Sequence, residues 1–463
     1  MRLPPCLPRH AQGERAEALS LHKFKLWWFI SPTCRACRTW ESRSVLFPRR
    51  LLAFIESLGG ADAANTLSAR LRGGAPSARR FRVRRGVDIG AIRAWWTGEA
   101  AAAPGPLADD AALEVLSQCA GNIENPIGMT ALPLGVAGPL RVNGLHASGD
   151  YWLPLATSEA ALVASYARGA HAINQAGGTS AALLGENVAR APAFVFASLA
   201  EAGSFVAWAT RHEADLAAAA HATTRHGRLQ AIEPMIDSDT VFLVCRYTTG
   251  DASGQNMVTI ATEAMCRWII AHTPVQPLHW FIEGNFSGDK KASYLGLIGG
   301  RGRKVSASVT LPTEVIRRTL GTDAETMLAY ARVAQLGATL SGQIGAQGHF
   351  ANGLAALFIA TGQDAACVAE SAVGFTRMEP RSDGALFMSV TLPNLMVGTV
   401  GGGTGMPHQR AALELMGLAG SGKARALAEV TAGLCLAGEI SIMAAIASGV
   451  FTSAHHKLAR TRG

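Results

Sequence analysis

The sequence predicts a mixed α/β protein of the α+β kind. It should form a large domain with a long central helix, a smaller domain inserted in it, and a small helical domain before both. Three observations lead there. Residues 191–285 read as strand, helix, strand, strand, helix, strand. From about 303 to 450, strand-like runs alternate with longer helical periods, and the last helix, about 422–450, is long and apolar. Residues 51–123 carry a helical pattern broken by Gly73-Gly74 and the basic run Arg79 to Arg85.

The bulk composition excludes some classes. Of 463 residues, 49 % are apolar and 16 % charged, so a large core can be buried and a disordered chain is excluded. No stretch of about 18 residues is both strongly apolar and free of charge, so no membrane span is expected. The nearest rival, Leu436 to Phe451, contains Glu439. The net charge of +8 is unevenly placed: residues 1–100 hold 18 Lys+Arg against 7 Asp+Glu, and the remaining 363 hold 24 against 27. The basicity is local, and no nucleic-acid partner is expected from it. Eight Cys are spread along the chain. Only Cys34 and Cys37 form a close pair, without a second pair at zinc spacing, so no metal site is expected. Mostly buried, reduced thiols point to the cytoplasm.

In chain order, residues 1–50 form an irregular, basic N-terminal extension. Residues 51–123 form the small helical domain, with an apolar face at Leu51, Leu52, Phe54, Ile55 and Leu58, and a helix over Asp109 to Cys119. Residues 124–190 open the large domain. Short strands punctuated by Gly and Pro are expected around Leu132 to Pro139. A helix follows from about Glu159 to Ile173, with Thr157 and Ser158 as N-cap candidates. Residues 191–285 have strands at Ala191 to Ser198, Arg228 to Ile236, Thr240 to Tyr247 and Leu278 to Ile282. Helices cover Leu199 to about Ala222 and Ser253 to Ala271. That order is the split-βαβ, ferredoxin-like pattern. In 286–463, strands are expected at 303–310 and 385–392, and helices at 312–320, 323–340, 349–360, 408–417 and 422–450.

Several segments carry residues suited to chemistry. Gly250-Asp-Ala-Ser-Gly-Gln-Asn256 joins a strand to a helix. Such a turn aims backbone N–H groups, and the positive end of the helix dipole, at an anion. It matches neither Gly-x-Gly-x-x-Gly nor a Walker A loop, so a dinucleotide here would sit outside a Rossmann domain. The plainer reading is a glycine turn. Arg225 and Arg228 could neutralise a phosphate, or be ordinary solvated charges. Gly288-Asp-Lys-Lys291 offers a Lys to polarise a carbonyl, or two surface lysines. Glu159 and Asp364 are acids among apolar neighbours and need partners. Each reads either as a cap or as half of a coupled acid pair bridged by Lys. Of His455 and His456, one could act as a general acid on a closing segment. Val400-Gly401-Gly-Gly-Thr404 either turns sharply or approaches a cofactor.

Six segments occur in order: Glu124-Asn-Pro-Ile-Gly128, Gly135-Val-Ala-Gly-Pro139, Gly250-Asp-Ala-Ser-Gly-Gln-Asn-Met257, Gly288-Asp-Lys-Lys291, Gly362-Gln-Asp-Ala-Ala366 and Gly398-Thr-Val-Gly-Gly-Gly-Thr404. Together they resemble 3-hydroxy-3-methylglutaryl-coenzyme A (HMG-CoA) reductases of the NADPH-type, class I branch. The resemblance covers about 124–460, with a weaker helical match from about 51. Nothing in it matches the membrane anchor of eukaryotic members.

The resemblance implies a four-electron reduction of HMG-CoA to mevalonate and free coenzyme A, using two NADPH per turnover and no metal. The route passes through a mevaldyl-CoA hemithioacetal and mevaldehyde and feeds isoprenoid synthesis. It implies that the ferredoxin-like domain binds NADP. It also implies a site between subunits of at least a dimer, commonly a tetramer. Lys290 matches the catalytic lysine facing the thioester oxygen. His455 matches the acid that protonates the leaving thiolate, Glu159 the acid of the second reduction, and Asp364 the carboxylate coupling Glu159 to Lys290. Arg190, Asp289, Lys291 and Asn352 match substrate-binding positions. Asp251, Ser253, Gly254, Gln255, Asn256, Val400 and Gly401 match the cofactor-binding loops, and Arg225 a position near the 2′-phosphate.

Two departures stand out. Glu283 replaces the family's usual Ser before Gly284-Asn285, and Ala160 replaces Gly after Glu159. The charge at Glu283 could weaken binding of the substrate carboxylate or pair with Lys291. It motivates the alternative of an impaired homologue that binds coenzyme A thioesters without efficient turnover.

Overall fold

The structure, a computed structural model, describes residues 85–100 and 102–452, with isolated helical positions between Ser57 and Arg70. The expected helix face at 51–58, the Cys34–Cys37 pair and His455 lie outside the described residues, Ser57 excepted. The chain divides into two compact units, Met1–Arg82 and Val83–Gly463. In the first, every described position is helical.

The second unit opens with α1 (Ile89–Gly98) and α2 (Asp110–Ser117). Each starts on an Asp side chain: Asp88 accepts from the Ala91 amide and Asp109 from the Ala112 amide. That satisfies amides at each helix start. Ile92, Leu113, Leu116 and Cys119 bury a small core of their own, with Met406 packed against it. The compact unit therefore begins inside the stretch expected as one helical domain.

Strands β1 (Leu134–Gly144) and β2 (Ser148–Ala156) form an antiparallel hairpin. It is longer than the Gly and Pro content suggests, because a register shift between Ala137 and Leu140 absorbs Pro139. Helix α3 (Leu162–Gln175) begins later than expected. Its N-cap is Ala161 in the left-handed region, φ 70°, while Thr157 Oγ1 accepts from the Glu159 amide in the turn before it. Neither Thr157 nor Ser158 caps the helix, and Glu159 sits in that turn.

Strand β3 (Thr179–Arg190) joins the two parts of the sheet. Residues Ser180–Asn187 pair with the strand at Gly302–Leu311, and Val188–Arg190 with the strand at Thr240–Thr248. The inserted part runs β4 (Ala193–Val195), α4 (Leu199–Arg211), α5 (Glu213–His221), β5 (Arg228–Asp237), β6 (Thr240–Thr248), α6 (Gln255–His272) and β7 (His279–Phe281). Its strands lie in the order β7-β4-β6-β5, all antiparallel. The single helix expected over 199–222 is broken at His212, which ends α4 and precedes α5.

The chain then returns through α7 (Tyr294–Gly299), β8 (Gly302–Leu311), α8 (Ala324–Ser341), β9 (Gly345–Ala346), α9 (Phe350–Thr361), β10 (Gly374–Pro380), β11 (Leu386–Leu395), α10 (Pro407–Leu415) and α11 (Ala424–Ala447). The helix expected at 312–320 is a short turn, Thr313–Val315, running into a π-helical turn, Ile316–Leu320. The whole sheet has 11 strands, ordered β7-β4-β6-β3-β8-β11-β10-β9 with β1, β2 and β5 off that path. Helix α11 is long and apolar enough to cross a membrane, yet it is buried inside the fold against α3, α8, α9 and the sheet. Its two acids are satisfied there: Glu429 accepts from the His146 and Ala147 amides at 2.8 Å each, and Glu439 accepts from the start of α9.

Candidate active site

The loop after β7 carries Glu283 to Lys291. Lys290 has φ 57°, a backbone region unusual for a residue with a Cβ. Its amide donates to Glu370 Oε1 at 3.3 Å, and its Nζ meets Asp364 Oδ2 at 2.8 Å. Hydrogen bonding to Asp364 raises the Lys290 pKa. Burial works to raise the Asp364 carboxyl, but the Lys290 ammonium and the Ala366 amide outweigh it and hold it below its ordinary range. Asp364 lies just beyond the C-terminal Gly362 of α9 and caps the short helical turn Ala365–Cys367. It is thus both a cap and the partner of a Lys.

Behind Lys290 lies a buried ion cluster that sequence reading missed. Arg301 and Glu370, each 1 % exposed, pair at 2.6 Å, and Arg301 reaches Asp289 Oδ1 at 2.9 Å. Asp289 also meets Arg190 at 3.1 Å. Arg301, just before β8, and Glu370, in the short helix Val368–Ser371, therefore fix both the side chain of Asp289 and the backbone amide of Lys290. The signal was available: Glu370, like Asp364, is an acid in an apolar run.

Glu283 does not pair with Lys291. It meets Arg190 at 3.1 Å and accepts from Ser287 Oγ at 2.9 Å. Arg190 is therefore engaged by two carboxylates and is 7 % exposed. Lys291 is exposed and donates to the Asp289 carbonyl at 2.7 Å.

Beside Asp364 is a cavity of about 560 Å³. It is lined by the Gly250–Asn256 loop, the turn after α9, and the Val400–Thr404 run. Helix α6 opens on Gly254, φ 81°, without a side-chain cap, so its first amides face this region unsatisfied by a side chain. Gly398 lets the two loops touch: a Cβ there would meet the Ser253 nitrogen at 2.5 Å. Ser253, Gly254, Gln255, Asn256, Val400 and Gly401 all line the cavity. Gln255 Nε2 donates to Asp364 Oδ2 at 3.4 Å and to Cys367 Sγ at 2.8 Å, which ties the cavity to the Lys290 pair. Asp251 is different. Its carboxylate accepts from the Gly422 and Ala424 amides at 2.8 and 3.1 Å, so it caps α11 and shapes the loop from behind. Arg225 is exposed in the turn whose Gly227 packs against Met257 of α6.

Glu159 belongs to a second cavity of about 490 Å³, walled by α3, the start of α9 and the end of α11. Asn352 Nδ2 donates to its carboxylate at 3.2 Å. Asn352 is in the first turn of α9, whereas Asp364 follows the last. At 1.5 Å per residue, about 13 Å of helix separates Asn352 from Thr361. The fold thus brings together Lys290 with Asp364, and Glu159 with Asn352. It does not join the two pairs within one chain, so Asp364 does not couple Glu159 to Lys290 there.

Among the described residues no group of His, Cys, Asp and Glu is arranged to hold a metal.

A family model described as hydroxymethylglutaryl-coenzyme A reductase matches residues 94–460. A 3-hydroxy-3-methylglutaryl-coenzyme A reductase of Aeropyrum pernix is 45 % identical over 345 residues, 73 % of this chain and 82 % of that protein. One of Methanothermobacter thermautotrophicus is 42 % identical over 341 residues, 73 % and 85 % of the two chains. One of Aspergillus terreus is 38 % identical over 352 residues, 73 % of this chain and 33 % of that longer protein. Among solved structures, the class II reductase of Streptococcus pneumoniae bound to NADPH in open conformations aligns with a TM-score of 0.58 at 20 % identity, over 77 % of this chain and 96 % of that one. That likeness concerns the fold. The matches in sequence go further: the chain belongs to the hydroxymethylglutaryl-coenzyme A reductase family, and it is the oxidoreductase reading that stands, not that of an impaired homologue.

Proposed function

We propose that the chain reduces HMG-CoA to mevalonate and free coenzyme A with two NADPH per turnover, using Lys290, Asp364, Glu159 and His455. The observation that carries the assignment is the Lys290–Asp364 ion pair at 2.8 Å, bonded through Gln255 to the cavity at the start of α6. The uncapped α6 amides, the close loop contact at Gly398 and the nearby Arg225 turn suit an anionic dinucleotide. When bound there, NADPH supplies hydride. The Lys290 ammonium, kept charged by Asp364, stabilises the oxyanion that develops first on the thioester and later on the aldehyde. His455 gives a proton to the departing thiolate, and Glu159, oriented by Asn352, gives one in the second reduction. Asp289, Lys291 and Arg190 form the substrate end, with Asp289 fixed by Arg190 and Arg301.

The separation of the two pairs along α9 supports a site completed by a second copy of the chain, in a dimer or tetramer. Exposed Tyr294, Ile298, Leu336 and Leu340 on α7 and α8 provide apolar surface for such contact. The buried, unpaired thiols of Cys119, Cys245, Cys266, Cys367 and Cys435 support a location in the cytoplasm.

The test is an assay of the purified chain with HMG-CoA and either NADPH or NADH. The expected result is thioester-dependent oxidation of NADPH, two per coenzyme A released, faster than with NADH. Absence of turnover would overturn the proposal. His455→Gln should lower thioester reduction far more than reduction of free mevaldehyde; an equal fall would remove its role toward the thiolate.

A further inference from the structure

Behind the wall of the Glu159 cavity, which Gly348 and His349 line, lies a carboxylate that the proposed reaction does not use. Glu439, on α11, is fully buried. Four donors surround it. Its Oε2 accepts from the Gly348 amide at 2.8 Å and Thr376 Oγ1 at 2.6 Å. Its Oε1 accepts from the His349 amide at 2.8 Å and lies 3.2 Å from His349 Nδ1. Burial works against the charged form, but His349, Thr376 and the amides hold the carboxyl below its ordinary range. An ionised carboxylate only accepts hydrogen bonds, so Nδ1 must carry the proton facing it. In the neutral ring, Nε2 is then an acceptor. His349 lines the cavity beside Glu159 and Asn352, and its ring stacks on Tyr166 at 5.7 Å between centroids. Among the described residues no hydrogen bond to Nε2 is found.

We propose that Glu439 is a positioning residue: it fixes His349 as the Nδ1–H tautomer at the wall of the Glu159 cavity, so that Nε2 accepts a hydrogen bond from a hydroxyl or amide N–H of the acyl thioester. The inference rests on the assignment of that cavity to the substrate. Its physical basis is the shell around the carboxylate. Three donors, the two amides and the Thr376 hydroxyl, hold it from α9 and β10 and leave one oxygen edge for the imidazole. A Gln at 439 would bring an N–H where an acceptor is needed. The ring can answer by moving its proton to Nε2, which turns the cavity-facing acceptor into a donor.

The test is a double-mutant cycle of Glu439→Gln and His349→Asn, followed in steady-state kinetics with HMG-CoA and NADPH. Asn at 349 keeps a donor toward Glu439 and lacks Nε2. Each single variant should raise the thioester KM about tenfold, the weight of one hydrogen bond to substrate, with the NADPH KM unchanged. The double variant should be no worse than His349→Asn alone. In ring-¹⁵N-labelled protein, the Nδ1 and Nε2 resonances of His349 should exchange character between wild type and Glu439→Gln. Additive losses, an unchanged thioester KM, or the same tautomer in both proteins would overturn the proposal. If Glu439→Gln does not fold, Thr376→Val removes one of the donors and runs through the same cycle, with a KM change of a few-fold and the same non-additivity expected. An inactive wild type would instead overturn the reductase assignment of the site.

Discussion

Asp364 and Lys290 each reinforce the other's charge. Lys290 gains pKa from Asp364, so its protonated form persists as pH rises past the ordinary lysine range. The Asp364 carboxyl is held low, so its charge is lost only as pH falls below the ordinary range. The pair is therefore intact across neutral pH and fails at both extremes. Asp364→Asn should lower kcat at least 100-fold and move the alkaline limb of the rate profile to lower pH, because Lys290 loses the group that keeps it protonated. A pH–rate profile of the residual activity checks this; an unmoved limb would count against Lys290 as the charged group. Glu283 also engages Arg190. It places a second carboxylate on Arg190, next to Asp289, at the end of the site proposed for the acyl group. Glu283→Ser should lower the thioester KM several-fold and leave the NADPH KM unchanged. A higher thioester KM would mean that Glu283 is needed to hold Arg190 in place.

At the scale of elements, α11 and α3 cross where Gly169 faces the α11 backbone. A Cβ at 169 would lie 1.8 Å from the Ala437 carbonyl oxygen. The helices can approach this closely only without a side chain there. Gly169→Ala should destabilise the protein by about 2–3 kcal/mol, the cost of overpacking a core. Denaturant unfolding monitored by circular dichroism checks it, and a change below about 0.5 kcal/mol, within the range of surface substitutions, would show that the crossing can relax. The same crossing supports the site, since α3 follows Glu159 and α11 supplies Glu439. Helix α9 then sets a length: its first turn holds Asn352, and the turn after its end holds Asp364. No loop rearrangement inside one chain shortens a straight helix.

For the whole molecule, that length has a kinetic consequence. If a site takes Glu159 from one copy and Lys290 from another, Glu159→Gln and Lys290→Ala variants should each be inactive and yet complement one another. Random mixing and reassembly should restore about a quarter of wild-type activity, because half the dimers are mixed and each has one intact site. No recovery in a preparation shown to exchange subunits would exclude a shared site. The measurement also separates the apolar surface on α7 and α8 from a merely exposed one, since Leu336→Asp should reduce both association and recovery.

The sequence by itself determined the family, the mixed α/β class, the β-α-β-β-α-β order of 191–285 and the central apolar helix. Those features rest on local pattern: turn glycines, periodicity, and acids that cannot remain unpartnered in apolar runs. The limits are equally physical. β3 has little strand propensity of its own, and it forms because β8 and β6 pair along its two halves. The start of α3 shifts because Ala161 adopts a left-handed conformation that no sequence rule assigns to alanine. Pairing is the part that only tertiary structure decided. Spacing along the chain says nothing about which carboxylate reaches which cation. So the fold alone gave Glu283 to Arg190, Asp251 to the start of α11 and Glu439 to His349, and it left Asp364 with Lys290 but apart from Glu159 within one chain.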